Sequence, residues 1–311
     1  MKIYFYPFGV NYNSYNSRMK DILGGVGDVY SLQDSFKLSN FFLSRKKIIY
    51  YLNWFEDYPL IDGRLSLKKV LVFFGVLLWA KMTGRVIYVK HNFISHNVRT
   101  KWSILFHRIM EFSADKILVH SMFVAAQKQY CFIPHPLYSI PEINGILDLS
   151  DTPYFISFGT IKPYKGLEGL ILSWKNDYPL YIVGSGSDEY VEFLNDMIIR
   201  SNSEIFVVNR YVSDEELACY VKKSVGVVIA NASNTCIVSG AVYFSLSCLK
   251  DCYIVDEELY GRVSDLSSVY RFSEINVRHG IVKGVEEYLN DLSFCSDVII
   301  KDLILECISD E

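Results

Sequence analysis

Two stretches of sequence indicate the architecture of this chain. The first is Phe158-Gly159-Thr160-Ile161-Lys162-Pro163-Tyr164-Lys165-Gly166, and the second is Asn231-Ala232-Ser233-Asn234-Thr235, which Ser239-Gly240 closely follows. Each stretch reads as the end of a strand, a turn of small residues and the start of a helix. Backbone N–H groups and the positive end of a helix dipole converge at such a turn, which makes it a site for phosphate. Two such turns, with lysines in the first, predict a bound diphosphate.

The size and composition of the chain predict a globular protein with two domains. Of its 311 residues, 50% are hydrophobic and 21% are charged, which provides a substantial core and excludes a disordered chain. Seven cysteines are scattered without a CxxC pair, and this favours a reducing cytoplasm over a disulfide framework or a zinc site. The chain opens directly into strand-like residues 2–6, so we expect no signal peptide.

Charge is divided unevenly along the chain. Residues 1–150 hold 18 Lys and Arg against 10 Asp and Glu, whereas residues 151–311 hold 13 against 25. The basic first half predicts a partner that is anionic, such as membrane headgroups or a lipid-linked phosphate, although compositional drift between domains is an alternative. No nucleic-acid-binding motif accompanies the charge, and we expect no nucleic acid partner.

Short apolar strands alternate with helical stretches along the whole chain. The predicted strands are residues 2–6, 28–31, 47–52, 85–90, 116–119, 131–133, 153–158, 179–183, 204–208, 225–229 and 251–255, and the predicted helices include 64–82, 99–113, 165–174, 187–200, 213–223 and 240–249. This alternation predicts an α/β fold with two Rossmann-like, doubly wound domains that face a central cleft. The predicted domains are residues 1–138 and 152–295, followed by a helical segment, 296–311, that crosses back to the first domain.

One apolar run, residues 70–80, is flanked by Lys68, Lys69 and Lys81. It is far shorter than the roughly 20 residues that span a bilayer. Two interpretations remain open, and they do not exclude each other: a helix in the membrane interface, or a buried helix of a Rossmann-like domain.

Four short pieces occur in a characteristic order. They are Lys90-His91-Asn92 with His96, the turn at residues 158–166, Ser213-Asp214-Glu215-Glu216-Leu217, and Thr235 with Ser239-Gly240. In this order the chain resembles a bacterial glycosyltransferase family with the GT-B fold, whose members build capsule, exopolysaccharide or O-antigen repeat units. The resemblance implies a nucleoside-diphosphate sugar of the UDP or GDP type as donor substrate, with no cofactor and no metal. The absence of an Asp-x-Asp motif favours the same conclusion about metal.

The resemblance, together with polar residues that follow predicted strands, gives the candidate site residues. The expected donor-binding residues are Gly159, Thr160, Lys162, Lys165, Tyr211, Thr235, Ser239 and Gly240. The expected acceptor or sugar contacts are Asn13, Tyr15, Asn92 and His96, and the expected catalytic residues are His91, Glu56 and Lys165.

Each catalytic candidate has a chemical rationale and a structural alternative. An imidazole titrates near neutral pH, so His91 is a candidate base or sugar contact, unless it is a structural histidine. Glu56 is a candidate base for an inverting transfer or a solvated loop acid. Lys165 would stabilise the departing diphosphate, and otherwise it is a solvated lysine at a helix start.

The sequence departs from the family pattern at two places. Thr160 stands where many relatives carry an arginine, although Lys162 supplies a nearby charge. The helix after Gly240 has no glutamate for the nucleotide ribose, and Ser245 lies near that position.

The expected function is transfer of a hexose to a polyprenyl-diphosphate-linked glycan by a cytoplasmic protein that associates peripherally with the anionic inner-membrane surface. The alternative, motivated by the departures, is a non-catalytic subunit that binds nucleotide-sugars or glycans. A different Rossmann-type enzyme would need an early G-x-G-x-x-G, which Gly24-Gly25-Val26-Gly27 does not supply.

Overall fold

The computed structural model describes residues 1–9, 14–93, 100–141, 152–231, 236–278 and 283–309. It divides into two compact units. The first comprises Met1–Pro136, Thr235–Val238 and Cys295–Glu311, and the second comprises Leu137–Asn234 and Ser239–Phe294.

The first unit is built on a parallel sheet of six strands. Its chain order is β1 (Lys2–Tyr6), α1 (Ser14–Gly24), β2 (Asp28–Ser31), β3 (Ile48–Asn53), the hairpin β4 (Leu60–Ile61) and β5 (Arg64–Leu65), α2 (Leu67–Thr83), β6 (Arg85–Val89), α3 (Lys101–Ser113), β7 (Lys116–Val119), α4 (Met122–Lys128) and β8 (Cys131–Phe132). The strand order is β2-β1-β3-β6-β7-β8, so the winding reverses between β1 and β3. In such sheets ligands bind at the carboxyl ends of the strands where the winding reverses.

The second unit repeats this architecture. It contains β9 (Phe155–Phe158), α5 (Leu167–Ser173), β10 (Leu180–Gly184), α6 (Asp188–Ser201), β11 (Ile205–Asn209), α7 (Asp214–Lys223), β12 (Gly226–Ile229), α8 (Gly240–Ser247), β13 (Cys252–Ile254), α9 (Glu257–Val263), β14 (Val269–Arg271), α10 (Ile275–Arg278) and α11 (Leu289–Phe294). All pairs are parallel in the order β11-β10-β9-β12-β13-β14, and the winding reverses between β9 and β12. These two sheets confirm the predicted α/β fold with two Rossmann-like halves.

The last helix, α12 (Asp297–Ser309), belongs to the first unit. Ile300 and Ile304 are buried, and Arg18 on α1 donates two hydrogen bonds to the Asp297 carboxylate, at 2.7 and 2.9 Å. A bidentate pair of this kind fixes orientation as well as contact.

Helix α1 begins at Ser14, and Tyr15, Met19, Ile22 and Leu23 form a buried stripe along it. One predicted helix boundary in the first unit was wrong. Helix α2 was expected to begin at residue 64. It begins at Leu67, because Asp62 and Gly63 adopt positive φ angles of 48° and 75° and close the β4–β5 hairpin.

Helix α2 has apolar side chains on both faces. Phe73, Val76, Leu77 and Ala80 are buried against the sheet. On the other face, Leu67, Leu71, Phe74 and Leu78 are exposed, Leu67 and Leu71 each by 75%. Among the helices of the described residues, none has both the length and the apolar character required to cross a membrane.

Candidate functional site

A small pocket in the second unit brings together four of the predicted donor-binding residues. Gly159, Thr160, Lys165 and Ser239 all line it, along with residues at the carboxyl ends of β9 and β12. This is the position where the winding of the sheet reverses, and a ligand is expected there on topological grounds alone.

The turn after β9 is held by the turn after β10. The N–H of Gly159 donates to Val183 O at 3.0 Å, and the N–H of Ile161 donates to Ser185 O at 2.9 Å. A Cβ on Gly184 would lie 1.8 Å from Gly159 O, and one on Gly186 would lie 2.6 Å from Ile161 O. Both positions therefore require glycine, and the Gly184-Ser185-Gly186 turn supports the backbone of the turn after β9.

Lys165 presents its ammonium group to the pocket. The residue ends the short 3₁₀ turn Pro163–Lys165, and its Nζ lies 4.0 Å from where a Cβ of Gly159 would stand. It has no ion-pair partner among the described residues. A half-buried, uncompensated cation at a pocket attracts an anion. Lys162 precedes the turn and is exposed.

The other side of the pocket is formed by the start of α8. Ser239 is the N-cap, and its side chain makes no capping hydrogen bond. A Cβ on Gly240 would lie 2.8 Å from the Tyr138 hydroxyl oxygen, so a larger residue here would require that side chain to shift. The first N–H groups of this helix carry the positive end of its dipole toward the pocket.

Two positions singled out in the sequence lie away from the pocket lining. Ser245 is fully buried and donates back to Ala241 O at 2.7 Å, so its hydroxyl is engaged within α8. Tyr211 lies just beyond β11 and is 78% exposed.

In the first unit, His91 is held in one tautomer at the end of β6. The Asn53 amide donates to Tyr6 O at 3.0 Å, so its oxygen faces His91 Nε2 at 3.1 Å. Because that oxygen only accepts, Nε2 of neutral His91 carries the proton and Nδ1 keeps its lone pair. Trp54, in a left-handed conformation with φ 49°, stacks on the imidazole at 3.9 Å.

A second histidine, His120, lies beside His91, with ring centroids 5.3 Å apart. His120 Nδ1 donates to Ile133 O at 3.0 Å, which leaves Nε2 to accept from the Tyr15 hydroxyl at 3.0 Å. The Tyr15 ring lies edge-on to His91 at 4.8 Å and tilted to His135 at 5.0 Å. Tyr15 was expected to touch the acceptor. It is 2% exposed and organises the three histidines.

All three histidines are uncharged at neutral pH. Burial lowers the pKa of His120 to about 4 and lowers the pKa values of His91 and His135 well below the usual range. For His91 the neighbouring imidazoles add to the effect of burial.

Glu56 occupies a different environment, between the sheet and α3. It is 1% exposed, its Oε1 lies 3.9 Å from His107 Nδ1, and neither carboxyl oxygen has a hydrogen-bond partner among the described residues. Burial, with the charge of Asp57, raises the pKa of the carboxyl to about 8. At neutral pH the protonated acid therefore predominates, whereas a general base must be ionised.

The remaining predicted residues are placed as follows. Asn92 is buried and bridges to Cys236, and the N–H of Ile237 donates to His91 O at 3.0 Å. Asn13, His96 and Thr235 lie outside the described residues. Within the described ranges, no group of three or more His, Cys, Asp or Glu is arranged to hold a metal ion, and metal independence stays a prediction.

Sequence reasoning missed Asn53 and His120 in this site. Asn53 is the single amide that ends an otherwise apolar strand, Ile48–Asn53, and His120 directly follows β7. Both residues could have been found from the sequence, because polar residues at the carboxyl ends of parallel strands often belong to a ligand site.

Two Rossmann-like halves with these strand orders define the GT-B fold. The chain is similar to a trehalose-6-phosphate structure from E. coli bound with UDP-2-fluoro glucose, with a TM-score of 0.63 and 9% identity over 100% of this chain and 99% of that one. It is also similar to Anabaena HepE in complex with UDP and glucose, with a TM-score of 0.60 and 13% identity over the whole of both chains. A third similar structure is α,α-trehalose 6-phosphate synthase from Burkholderia multivorans, with a TM-score of 0.59 and 12% identity over 96% and 82%. No family model and no curated protein sequence matches the chain.

We predict that Glu56→Gln stabilises the protein, and increasingly so as pH rises. In the unfolded chain the carboxyl ionises with its ordinary pKa of 4.5, whereas in the folded protein it stays protonated to about pH 8. The wild type therefore loses stability as the pH rises from 4.5 to about 8, whereas the glutamine variant does not. The gain at pH 7 should be about 3 kcal/mol, since pH 7 lies about 2.5 units above the unfolded pKa and one unit is worth about 1.4 kcal/mol.

Thermal unfolding at pH 5 and pH 8 measures this effect, with the exposed Glu306→Gln as the matched control. An equal shift of Glu56→Gln at both pH values would contradict the protonated state of Glu56.

Proposed function

We propose that this protein is a glycosyltransferase that moves a hexose from a nucleoside-diphosphate sugar to a hydroxyl of a lipid-linked glycan in bacterial surface polysaccharide synthesis. The observation that carries the proposal is the pocket of the second unit, where Gly159, Lys165 and Ser239 meet at the reversal of the sheet.

The chemistry of that pocket suits a diphosphate leaving group. In the transfer, the bond between the anomeric carbon and the diphosphate oxygen breaks, and a bond from that carbon to the acceptor oxygen forms. Negative charge then grows on the diphosphate, and the ammonium of Lys165 and the N-terminus of α8 would stabilise it. Thr160 carries no charge, so Lys162 would supply the second cation.

The acceptor hydroxyl must lose a proton during transfer. In the proposed mechanism His91 contacts the sugar or takes this proton at Nδ1, the nitrogen that its bond to Asn53 leaves unprotonated. The raised pKa of Glu56 argues for His91 over Glu56 in that role.

The nature of the donor is supported by the fold neighbours. Two of them contain UDP-2-fluoro glucose, or UDP with glucose, in proteins with the same fold. A uridine nucleotide is therefore the first donor to test, with guanosine as the second.

A membrane partner is supported by an apolar face on the first unit. We define this face as Leu67, Leu71, Phe74 and Leu78 on α2, with Leu38 and Phe42 from the neighbouring segment, and all six are exposed. Phe41 of that segment contacts Trp79 on α2, with ring centroids 4.9 Å apart. Exposed lysines at residues 37, 46, 47 and 68 adjoin these side chains in sequence. Apolar side chains among lysines are the pattern of a protein that lies on an anionic bilayer, here the cytoplasmic side of the inner membrane.

A second candidate function is a non-catalytic subunit that binds a nucleotide-sugar or glycan. Thr160 at the position of the usual arginine favours it, as does Ser245, which is buried where relatives place a ribose-binding glutamate. The two functions predict the same donor pocket and differ in turnover.

We predict that Lys165→Ala weakens donor binding and abolishes slow donor hydrolysis. Loss of a buried or half-buried cation facing a diphosphate should cost about 2 kcal/mol or more, or at least roughly thirtyfold in affinity. The assay is binding and hydrolysis with a panel of UDP-, GDP- and dTDP-sugars, and the exposed Lys175→Ala serves as matched control.

Binding without turnover, even with lipid-linked acceptors supplied, would favour the non-catalytic subunit. Failure of every nucleotide-sugar to bind the wild type would overturn the proposed function.

We predict that His91→Ala lowers kcat for transfer by about 10²–10⁴ while donor affinity changes little, as expected for loss of an acid–base group. Because burial lowers the pKa of His91, the wild type should keep its activity as pH falls through 6.5, with the acid limb of the kcat profile at lower pH. A kcat profile that falls with a midpoint near 6.5, or an unchanged kcat in the variant, would refute this role.

We predict that replacing Leu71 and Leu78 by serine reduces binding to vesicles that contain anionic phosphatidylglycerol by about tenfold or more, because two exposed apolar side chains no longer enter the interface. Co-sedimentation measures this, and Leu172→Ser with Ile199→Ser, at exposed positions of the second unit, is the control. Equal losses in both double variants would show that the apolar face is not the binding surface.

A further inference from the structure

A cavity of about 510 Å³ in the first unit is not used by the site described above. It lies at the carboxyl ends of β1 and β2, and Phe55, which follows β3, also lines it. Its walls include Tyr6, Phe8, Phe36, Tyr58, Val72 and Val76. This volume is within the roughly 300–1,000 Å³ typical of ligand sites.

The walls of the cavity are largely aromatic and aliphatic. Tyr6 lies edge-on to Phe55 and Tyr58, with ring centroids 5.0 and 6.1 Å away. Among the polar side chains of the lining, the Ser31 hydroxyl already accepts from the N–H of Gln33. A sugar needs many polar partners, so this lining favours an apolar chain over a glycan.

The cavity adjoins the apolar face. Val72 lies on α2 between members of that face and is 41% exposed, and Phe36 is 52% exposed, while both also line the cavity. An apolar chain that leaves a bilayer at the apolar face could therefore enter the cavity without crossing a polar surface.

Two ammonium groups lie against lining rings. Lys69 Nζ is 5.5 Å from the centroid of Tyr58, and Lys20 Nζ is 5.0 Å from the centroid of Phe8 and donates to Phe8 O at 3.0 Å. The two lysines lie beside the cavity, against rings that line it, and positive charge next to an apolar interior complements a phosphate on an apolar chain.

We infer that this cavity binds the phosphate-proximal part of a lipid chain, with Lys69 and Lys20 facing the phosphate. As an acceptor site this rests on the proposed function, because the lipid would be that of the glycan acceptor. As a lipid-phosphate site it can be tested independently of any transfer reaction.

The first test uses dodecyl phosphate below its micelle concentration, measured by calorimetry. One molecule should bind per protein, and Val72→Trp, which fills the cavity, should weaken binding at least about tenfold. The matched control is Met82→Trp, at an exposed position of the same helix that belongs neither to the lining nor to the apolar face. No binding, or equal loss in both variants, overturns the inference.

The second test separates the cation from the apolar wall. Lys69→Gln should reduce the preference for dodecyl phosphate over dodecanol, whereas Lys68→Gln, at its exposed neighbour, should leave that preference unchanged. An equal effect of the two variants would show that Lys69 does not face the phosphate.

A third measurement connects the cavity to transfer. With two acceptors that carry the same glycan diphosphate on a long or a short alkyl chain, Val72→Trp should raise KM for the long chain alone. If transfer occurs and Val72→Trp leaves the KM ratio unchanged, the cavity is not the acceptor site and the proposed function stands. If no transfer occurs but dodecyl phosphate binds as expected, the lipid-phosphate site stands and the transferase proposal fails.

Discussion

The close approach of two turns in the second unit is the constraint on which the candidate donor pocket depends. The backbone after β9 and the backbone after β10 lie so near each other that no side chain fits at Gly184 or Gly186. Two hydrogen bonds between the turns then fix the path of the chain through Gly159 and Ile161. Because that path is fixed, the Lys165 ammonium group lies over Gly159 at a defined position in the pocket. Charge placed on a rigid backbone is pre-organised, so little ordering is required when an anion binds.

In the first unit, hydrogen bonds and burial keep three neighbouring histidines uncharged. Each ring donates to an oxygen that can only accept, namely the Asn53 amide oxygen or a main-chain carbonyl. Protonating any of them would place a positive charge among buried rings about 5 Å apart. The geometry therefore fixes tautomers as well as positions, which a site that handles a single proton requires.

Most of the fold could be read from the sequence, because buried parallel strands are continuous apolar runs that turns of small residues interrupt. All eleven predicted strands occur within a few residues of their expected places, whereas β14 was missed because three residues at a sheet edge carry little pattern. The pocket of the second unit was also readable, since glycine, lysine and serine cluster in local turns. The histidine site was not, because Tyr15, Asn53 and His120 are distant in sequence and meet only through the strand order. Nor does residue type reveal that Glu56 is buried, which sets its protonation state.

The position of α12 has a consequence for how the chain reaches its structure during synthesis. This helix follows every strand of the second unit in the chain, yet it packs on α1 and belongs to the first unit. The second unit can therefore acquire all its strands before α12 leaves the ribosome, but the first unit cannot yet cover the surface that Ile300 and Ile304 bury. The amino-terminal half waits for α12 to be made. Until then its apolar surface is exposed, and such exposure makes a partly folded chain prone to aggregate.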